Sequence, residues 1–203
     1  MRMRTLKIEF HSEWRSGTGR GKGLYVDAET RRDRFGLPMV PGKQLKGLIR
    51  HALVTGAEWG HWPKEYAVTL CGQGADEKTM NRFETKAGKL SISSAQMTEE
   101  WINYFKSSLE GSESDRAEAL KLIDQLYRVK RQTKMTDRGL VQSKSLRSVE
   151  VCVPLTLVAE LSGALTPEEE DALVKSLKMI RAVGGMTTRG LGRATLSLQG
   201  DKR

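Results

Sequence analysis

The chain has 203 residues, of which 38% are hydrophobic and 29% charged, and it carries a formal net charge of +9. This is a globular composition of single-domain size, and no run of about 18 apolar residues is present to span a membrane. Cys71 and Cys152 are too few for a disulfide framework or a cysteine-built zinc site, and Met-Arg-Met-Arg opens the chain without an apolar signal core, so a cytoplasmic protein with a polyanionic partner is expected.

Residues 4–14 alternate, with Leu6, Ile8, Phe10 and Trp14 on one face and Lys7, Glu9, His11 and Glu13 on the other, which predicts a half-buried strand. A loop follows over 16–23, rich in glycine and basic residues. Residues 25–35 mix Asp27, Glu29 and Asp33 with Arg31, Arg32 and Arg34, a pattern that fits surface ion pairs or a catalytic acid. Beyond Pro41-Gly42, the apolar residues Leu45, Leu48, Ile49, Ala52 and Leu53 recur at helical spacing and predict a helix over 43–55. Lys43, Lys46 and Arg50 share another face of that helix, where an anion would relieve their mutual repulsion. The frame Gly36 to Gly42-Lys43 superficially suggests a phosphate-binding P-loop. Its glycines are one residue too far apart, Gln44 stands where a magnesium-binding Ser or Thr is needed, and two prolines interrupt.

Trp59, His61, Trp62 and Tyr66 are candidates either for packing under a loop or for stacking on bases. A short strand is predicted over 89–95 and a helix over 115–127. A basic stretch then runs through Arg128, Lys130, Arg131, Lys134, Arg138, Lys144 and Arg147, opposed only by Asp137, and reads as a nucleic-acid contact surface. Alternation from Val149 to Leu161 predicts one long strand. Thr166-Pro167-Glu168-Glu169 starts a helix over 167–183, with a Thr cap, Pro in the first turn and a capping-box Glu. Residues 194–198 close as a strand.

Between that last helix and strand lies Gly184-Gly185-Met186-Thr187-Thr188-Arg189-Gly190-Leu191-Gly192-Arg193, with four glycines, two arginines and no acid. Such a backbone can approach a phosphate-rich ligand closely and turn its N–H groups toward it. Basic residues gather in 1–50 and 128–147 and acidic ones at 110–118 and 168–171, as expected of an anion-binding face with an acidic back. The predicted order βαββαβ is that of an α+β, ferredoxin-like (RRM-like) core. It would form one domain over 1–203, with a basic insertion over 97–148 between the second and third core strands. In that arrangement the first helix and the glycine-rich loop could line one groove.

Three stretches carry a resemblance to the RAMP superfamily of CRISPR-associated proteins. Gly36-Leu-Pro-Met-Val-Pro-Gly-Lys-Gln-Leu-Lys-Gly-Leu-Ile-Arg50 is similar to the family's opening of its first helix; Arg138–Glu150 resembles the motif before its third core strand; Gly184–Arg193 resembles its glycine-rich loop. The resemblance implies a subunit of a type III-like effector complex that binds CRISPR guide RNA and target RNA, beside other RAMP subunits or copies of itself. The insertion would act as a thumb. Guide contacts carried over are Lys43, Gln44, Lys46, Arg50, Arg147, Gly184, Gly185, Arg189, Gly190 and Arg193, with Gly192 in the same loop. RNA binding would need no cofactor.

In many such subunits an Asp between the first strand and first helix cuts target RNA, with Mg or Mn as the candidate metal. Asp27 is the nearest match and Asp33 competes. The tag-capping subunit of the same superfamily is a related alternative. Two other readings are a metal-independent endoribonuclease that processes the guide precursor, for which only His11, His51 and His61 could serve as general base, and a ferredoxin-like RNA binder unrelated to CRISPR.

Overall fold

The computed structural model describes residues 3–19, 21, 27–73, 85–133, 136–140, 142 and 145–200. Strand β1 (Met3–Phe10) buries Leu6, Ile8 and Phe10 as the alternation requires. It pairs antiparallel with β5 (Thr156–Ser162) on one side and β6 (Ala194–Gln199) on the other. A two-residue strand β2 (Ser91–Ile92) adds to β5, giving an antiparallel sheet in the order β2-β5-β1-β6.

Two helices close the core over this sheet. Helix α1 (Gly42–Glu58) buries Leu45, Ile49, Ala52 and Leu53, and α5 (Pro167–Met179) buries Ala172, Leu173 and Leu177, in one cluster with Leu6, Ile8, Leu157, Leu161 and Leu196. The expected capping box of α5 is present in both halves: Glu169 N donates to Thr166 Oγ1 (3.3 Å) and Thr166 N to Glu169 Oε2 (3.0 Å). Arg4, buried on β1, holds the next residue, Glu170, through two bonds of 2.8 Å.

A short helix α2 (Glu65–Cys71) follows α1, and α3 (Glu99–Glu110) and α4 (Glu113–Gln125) pack on one another before the hairpin β3 (Tyr127–Gln132) and β4 (Arg147–Cys152). The two hairpin strands form a second sheet.

Several expectations need correction. The strand expected over 149–161 is two strands in different sheets: after Cys152 the chain breaks at Val153-Pro154, where Val153 N donates to Leu126 O, and Thr156 begins β5. The strand expected over 4–14 likewise ends at Phe10, yet Trp14 pairs antiparallel with Cys152 and so belongs with the hairpin. The same two segments therefore pair twice, once in each sheet, one residue out of step. Alternation survives the break, which is why each read as one continuous strand. The strand expected over 89–95 shrinks to two residues, although Ala95 still exchanges backbone bonds with Val40. The helix expected over 167–183 stops at Met179, because residues 182 and 183 turn to pair with Arg193 and Gly192. The helix expected over 115–127 runs instead over 113–125, led by a Ser112–Asp115 capping box.

The Pro-Gly before α1 has a packing reason. Pro41 caps the helix without a side-chain bond, and a Cβ on Gly42 would collide with the backbone carbonyls of Ile92 and Ser93. We expect Gly42→Ala to destabilise the fold by about 1–3 kcal/mol, as overpacking does when backbone has to move. The midpoint of urea unfolding, at unchanged slope, measures it.

Candidate nucleic-acid interface

The interface is built on four consecutive residues, Glu13 to Ser16, that leave β1 and run between the two sheets. Trp14 is fully buried, stacks on Phe10 (4.3 Å between rings), exchanges backbone bonds with Cys152 and donates Nε1 to Val153 O at 3.0 Å. Glu13 O accepts from Gly192 N (2.8 Å), and Arg15 O accepts from Gly185 N (2.9 Å). Ser16 O accepts from Arg31 N, and Ser16 Oγ donates to Gln44 Oε1 at 2.9 Å. One short segment thus ties the hairpin, the glycine-rich loop and the start of α1 together.

The glycine-rich loop is a closed turn. Val183 N donates to Gly192 O (2.8 Å) at its stem, Gly184 has φ +109°, and a Cβ there would strike the Arg15 carbonyl. Gly190 and Gly192 also have positive φ, a conformation that costs glycine nothing. Met186 is the only non-glycine residue with positive φ among the described residues. That backbone costs roughly 1–3 kcal/mol and persists only where packing holds it. Here Met186 and Leu191 pack against Val149 and Val151 of β4.

In the hairpin register Arg128 faces Val151, Lys130 faces Val149 and Gln132 faces Arg147, so these six share one face. It is the face whose valines meet the glycine-rich loop. Arg189 NH1 donates to Gln132 Oε1 at 3.0 Å, which brings Arg189 to the hairpin end that carries Arg147. Arg128 and Lys130 both pair with Glu13. On the opposite face the buried Glu150 accepts from Thr30 N (3.0 Å) and Arg32 NH2 (2.7 Å), while the Arg32 guanidinium lies 3.7 Å over the Tyr127 ring. Desolvation pushes the Tyr127 phenol well above its ordinary pKa, and its hydroxyl donates to Gly36 O.

The expected site residues therefore divide. Gln44, Arg128, Lys130, Arg147, Gly184, Gly185 and Arg189 come together around the Glu13–Ser16 seam. Gly190, Gly192 and Arg193 complete the loop; Arg193 is exposed and Gly192 buried. Lys43 is exposed in the first turn of α1, and Arg131 is exposed on the outer face of β3. Lys46 and Arg50 go elsewhere. Two residues on a helix are about 200° apart, so Lys46 lies on the opposite flank of α1 from Gln44. It donates to Leu90 O (2.8 Å), and Arg50 donates to Gly72 O (2.9 Å), where α2 ends. Lys134 lies outside the described residues.

The two candidate acids also separate. Asp33 Oδ1 accepts from Phe35 N (2.8 Å) and Leu37 N (2.9 Å) and shapes the turn that leads to α1. Asp27 is exposed, and its Oδ2 accepts from Ser148 N at 2.7 Å, next to Arg147. His11, His51 and His61 are all exposed and stand apart: His11 lies 2.7 Å from Thr195 Oγ1, His51 lines a cavity beside α5, and His61 sits between Trp59 and Trp62. Of the aromatic group after α1, Trp62 is held by its Nε1 bond to Leu53 O (2.8 Å), whereas Trp59 is 66% exposed.

Arg15 is the residue that sequence reading missed. It is half-buried, with its carbonyl on the glycine-rich loop and its NH1 4.0 Å from Met186 Sδ. Its Nε is buried without a partner among the described residues. Desolvation lowers its pKa, and the negative charge of Glu150 opposes that only in part. A guanidinium held in this way favours an incoming anion. One basic residue at the end of an alternating strand gives no signal of this in the sequence.

The model of the RAMP superfamily matches residues 7–195. The chain belongs to the RAMP superfamily. No curated protein matches it in sequence. Among solved structures it is similar to a chain of a type III-B Cmr-beta complex bound to cognate target RNA, at 14% identity and TM-score 0.70, covering 98% of this chain and 97% of that one. A chain of the apo Cmr-beta complex gives 14% and 0.66, with 98% of each chain covered. A chain of a type IV-B CRISPR complex gives 12% and 0.57, covering 99% of this chain and 92% of the other. At these identities the likeness is one of fold, and this RAMP chain shares it over almost its whole length.

Glu150 fixes the segment that carries Asp27 by anchoring Thr30 and Arg32. We expect Glu150→Ala to cost about 2–3 kcal/mol, less than the full penalty for a broken buried pair because Arg32 stays partly in water. Thermal unfolding gives the loss, and faster amide exchange at residues 28–32 would localise it.

Proposed function

We propose that this RAMP chain is a guide-RNA-binding backbone subunit of a type III-like CRISPR effector complex in antiviral defence. It would work in the cytoplasm, beside other RAMP subunits or copies of itself. The observation that carries the reading is the seam where Arg15, Arg147, Arg189 and the glycine-rich loop converge, with Glu13 paired to Arg128 and Lys130 beside them. Arginines beside a close-turning glycine backbone suit a sugar–phosphate chain. The complexes that hold the similar chains agree with this, one of them being bound to cognate target RNA.

The sheet order β2-β5-β1-β6, with α1 and α5 as its crossovers, supports a ferredoxin-like core. We take residues 1–203 as one domain. Residues 97–148 are then an insertion whose hairpin serves as the thumb.

Asp27 is our candidate acid for cleavage of target RNA, supported by its exposure beside the hairpin. Its exposed carboxylate can accept the proton of a ribose 2′-hydroxyl while that oxygen attacks the adjacent phosphorus. The bond from phosphorus to the 5′-oxygen of the next nucleotide breaks, leaving a 2′,3′-cyclic phosphate, and the departing oxygen takes a proton from water. Arg147, the neighbour of Ser148, can meet the charge that develops. Mg or Mn could assist such a step in principle. Among the described residues, however, no three His, Cys, Asp or Glu gather to hold a metal ion. Asp27 would therefore share such an ion with the substrate's phosphate oxygens, since Mg is commonly held by a carboxylate plus substrate phosphates.

Arg147→Glu combined with Arg189→Glu should remove co-purifying RNA while the melting temperature stays within a few degrees; RNA retained at moderate salt would overturn the interface. Asp27→Ala should abolish cutting of a complementary target and leave guide affinity within about twofold. Continued cutting would move the chemistry to another residue or subunit.

A further inference from the structure

A second basic region lies on the far side of the glycine-rich loop, where α5 ends. A cavity of about 400 Å³ opens between α1 and the chain leaving α5, lined on one side by His51, Thr55 and Trp59 and on the other by Lys178 and Arg181. A trough of about 580 Å³ shares Lys178, Ile180, Arg181 and Ala182 with that cavity and continues past Arg193 to Thr187 of the glycine-rich loop. Neither hollow has a carboxylate in its wall.

The cations here differ from their neighbours. Earlier on α5 charges are paired: Lys175 with Asp171, Lys89 with Glu169, and Arg4 with Glu170. Lys178, Arg181 and Arg193 are exposed, and their side chains make no ion pair or hydrogen bond among the described residues. The negative end of the helix dipole explains one cation in the last turn. It does not explain Arg181 and Arg193, which lie outside the helix. Trp59 is the second oddity. His51, Thr55 and Trp59 follow at four-residue spacing on one face of α1 and its end, and the indole stays two-thirds exposed, touching His61 only edge-on (6.1 Å between rings). An exposed indole beside unpaired cations is the arrangement that takes a base on the ring and phosphates on the charges.

We propose that the α1–α5 cavity and its adjoining trough form a second single-stranded RNA subsite, with a base stacked on Trp59 and its neighbouring phosphates along Lys178, Arg181 and Arg193. The proposal rests on the RNA-binding reading above and extends it, because the trough begins at Thr187, two residues from Arg189. A strand leaving the hairpin side of the loop would cross it and run over the end of α5. The trough has this direct continuity with the first interface, which favours RNA over an acidic peptide.

The test uses the full chain and an oligouridylate of roughly 16 nucleotides, the upper range of single-strand site sizes, carrying 5-iodouridine for photocrosslinking. Wild type should crosslink at Trp59, located by mass spectrometry. Lys178→Glu with Arg181→Glu should lose that crosslink and flatten the slope of log affinity against log salt by about 1.4, the share of two single-strand phosphate contacts. Arg147→Glu with Arg189→Glu should weaken binding while the residual crosslink stays at Trp59. Crosslinks confined to the hairpin side, or an unchanged slope in the Lys178/Arg181 variant, would overturn the subsite and leave the first interface standing. Polyglutamate displacing the RNA from Trp59 at equal charge concentration would overturn it in favour of a peptide groove. Failure of wild type to bind the oligonucleotide at all would bring down the RNA-binding reading itself.

Discussion

The structure depends on the backbone of Glu13 to Ser16. Within four residues its carbonyls accept from Gly192, Cys152, Gly185 and Arg31, and a serine hydroxyl adds Gln44. These partners come from four parts of the chain: the glycine-rich loop, the hairpin, the stretch before α1 and the start of α1. Buried backbone groups must be paired, and a segment running between two sheets has no ladder of its own on both sides. It therefore recruits the loop, the hairpin and the helix start as partners, and those become the walls of the interface. The glycines follow from this: at Gly184 the Arg15 carbonyl sits where a Cβ would be.

The electrostatic asymmetry has a similar origin. Acids on α5 are consumed by capping and by pairing with Arg4, Lys89 and Lys175, and Glu150 is consumed by Arg32 and Thr30. The acids thus neutralise the scaffold, and the loop, the hairpin face and the end of α5 keep an excess of arginine and lysine. The exposed Lys175–Asp171 pair adds little stability, whereas the pairs of Arg4, Glu150 and Glu169 are partly buried. Their effect is on which surfaces remain positive, and so on where a polyanion is drawn.

Strain and desolvation point to the same place. Met186 holds a left-handed backbone, and Arg15 holds a partly dehydrated guanidinium whose Nε has no partner among the described residues, its NH1 near the Met186 sulfur. Both are costs that contacts within the fold offset only in part. The valines of β4 offset part of the first. An anion bound at the loop would offset the second.

Alternation and helical spacing were enough to place β1, α1, α5 and β6, and the Thr166–Glu169 cap was readable residue by residue, because local periodicity and capping act over a few neighbours. The family motif in 36–50 and the glycine-rich loop were legible for the same reason. Helix α2 is too short for an apolar stripe to be read, whereas α3 carries one in Ile102, Phe105 and Leu109 that the sequence reading passed over. Only the tertiary structure decided that two continuous-looking strands each divide between two sheets, since alternation carries the side-chain face but not the identity of the partner strand. It also decided that Gln44, and not Lys46, meets Ser16 of the seam, that Asp27 lies on Ser148 of the hairpin while Asp33 is spent on the turn before α1, and that Arg15 is a half-buried cation against the glycine-rich loop. Each of these turns on which flank of a helix or which side of a seam a residue occupies, and that is set by tertiary contacts that local periodicity does not carry.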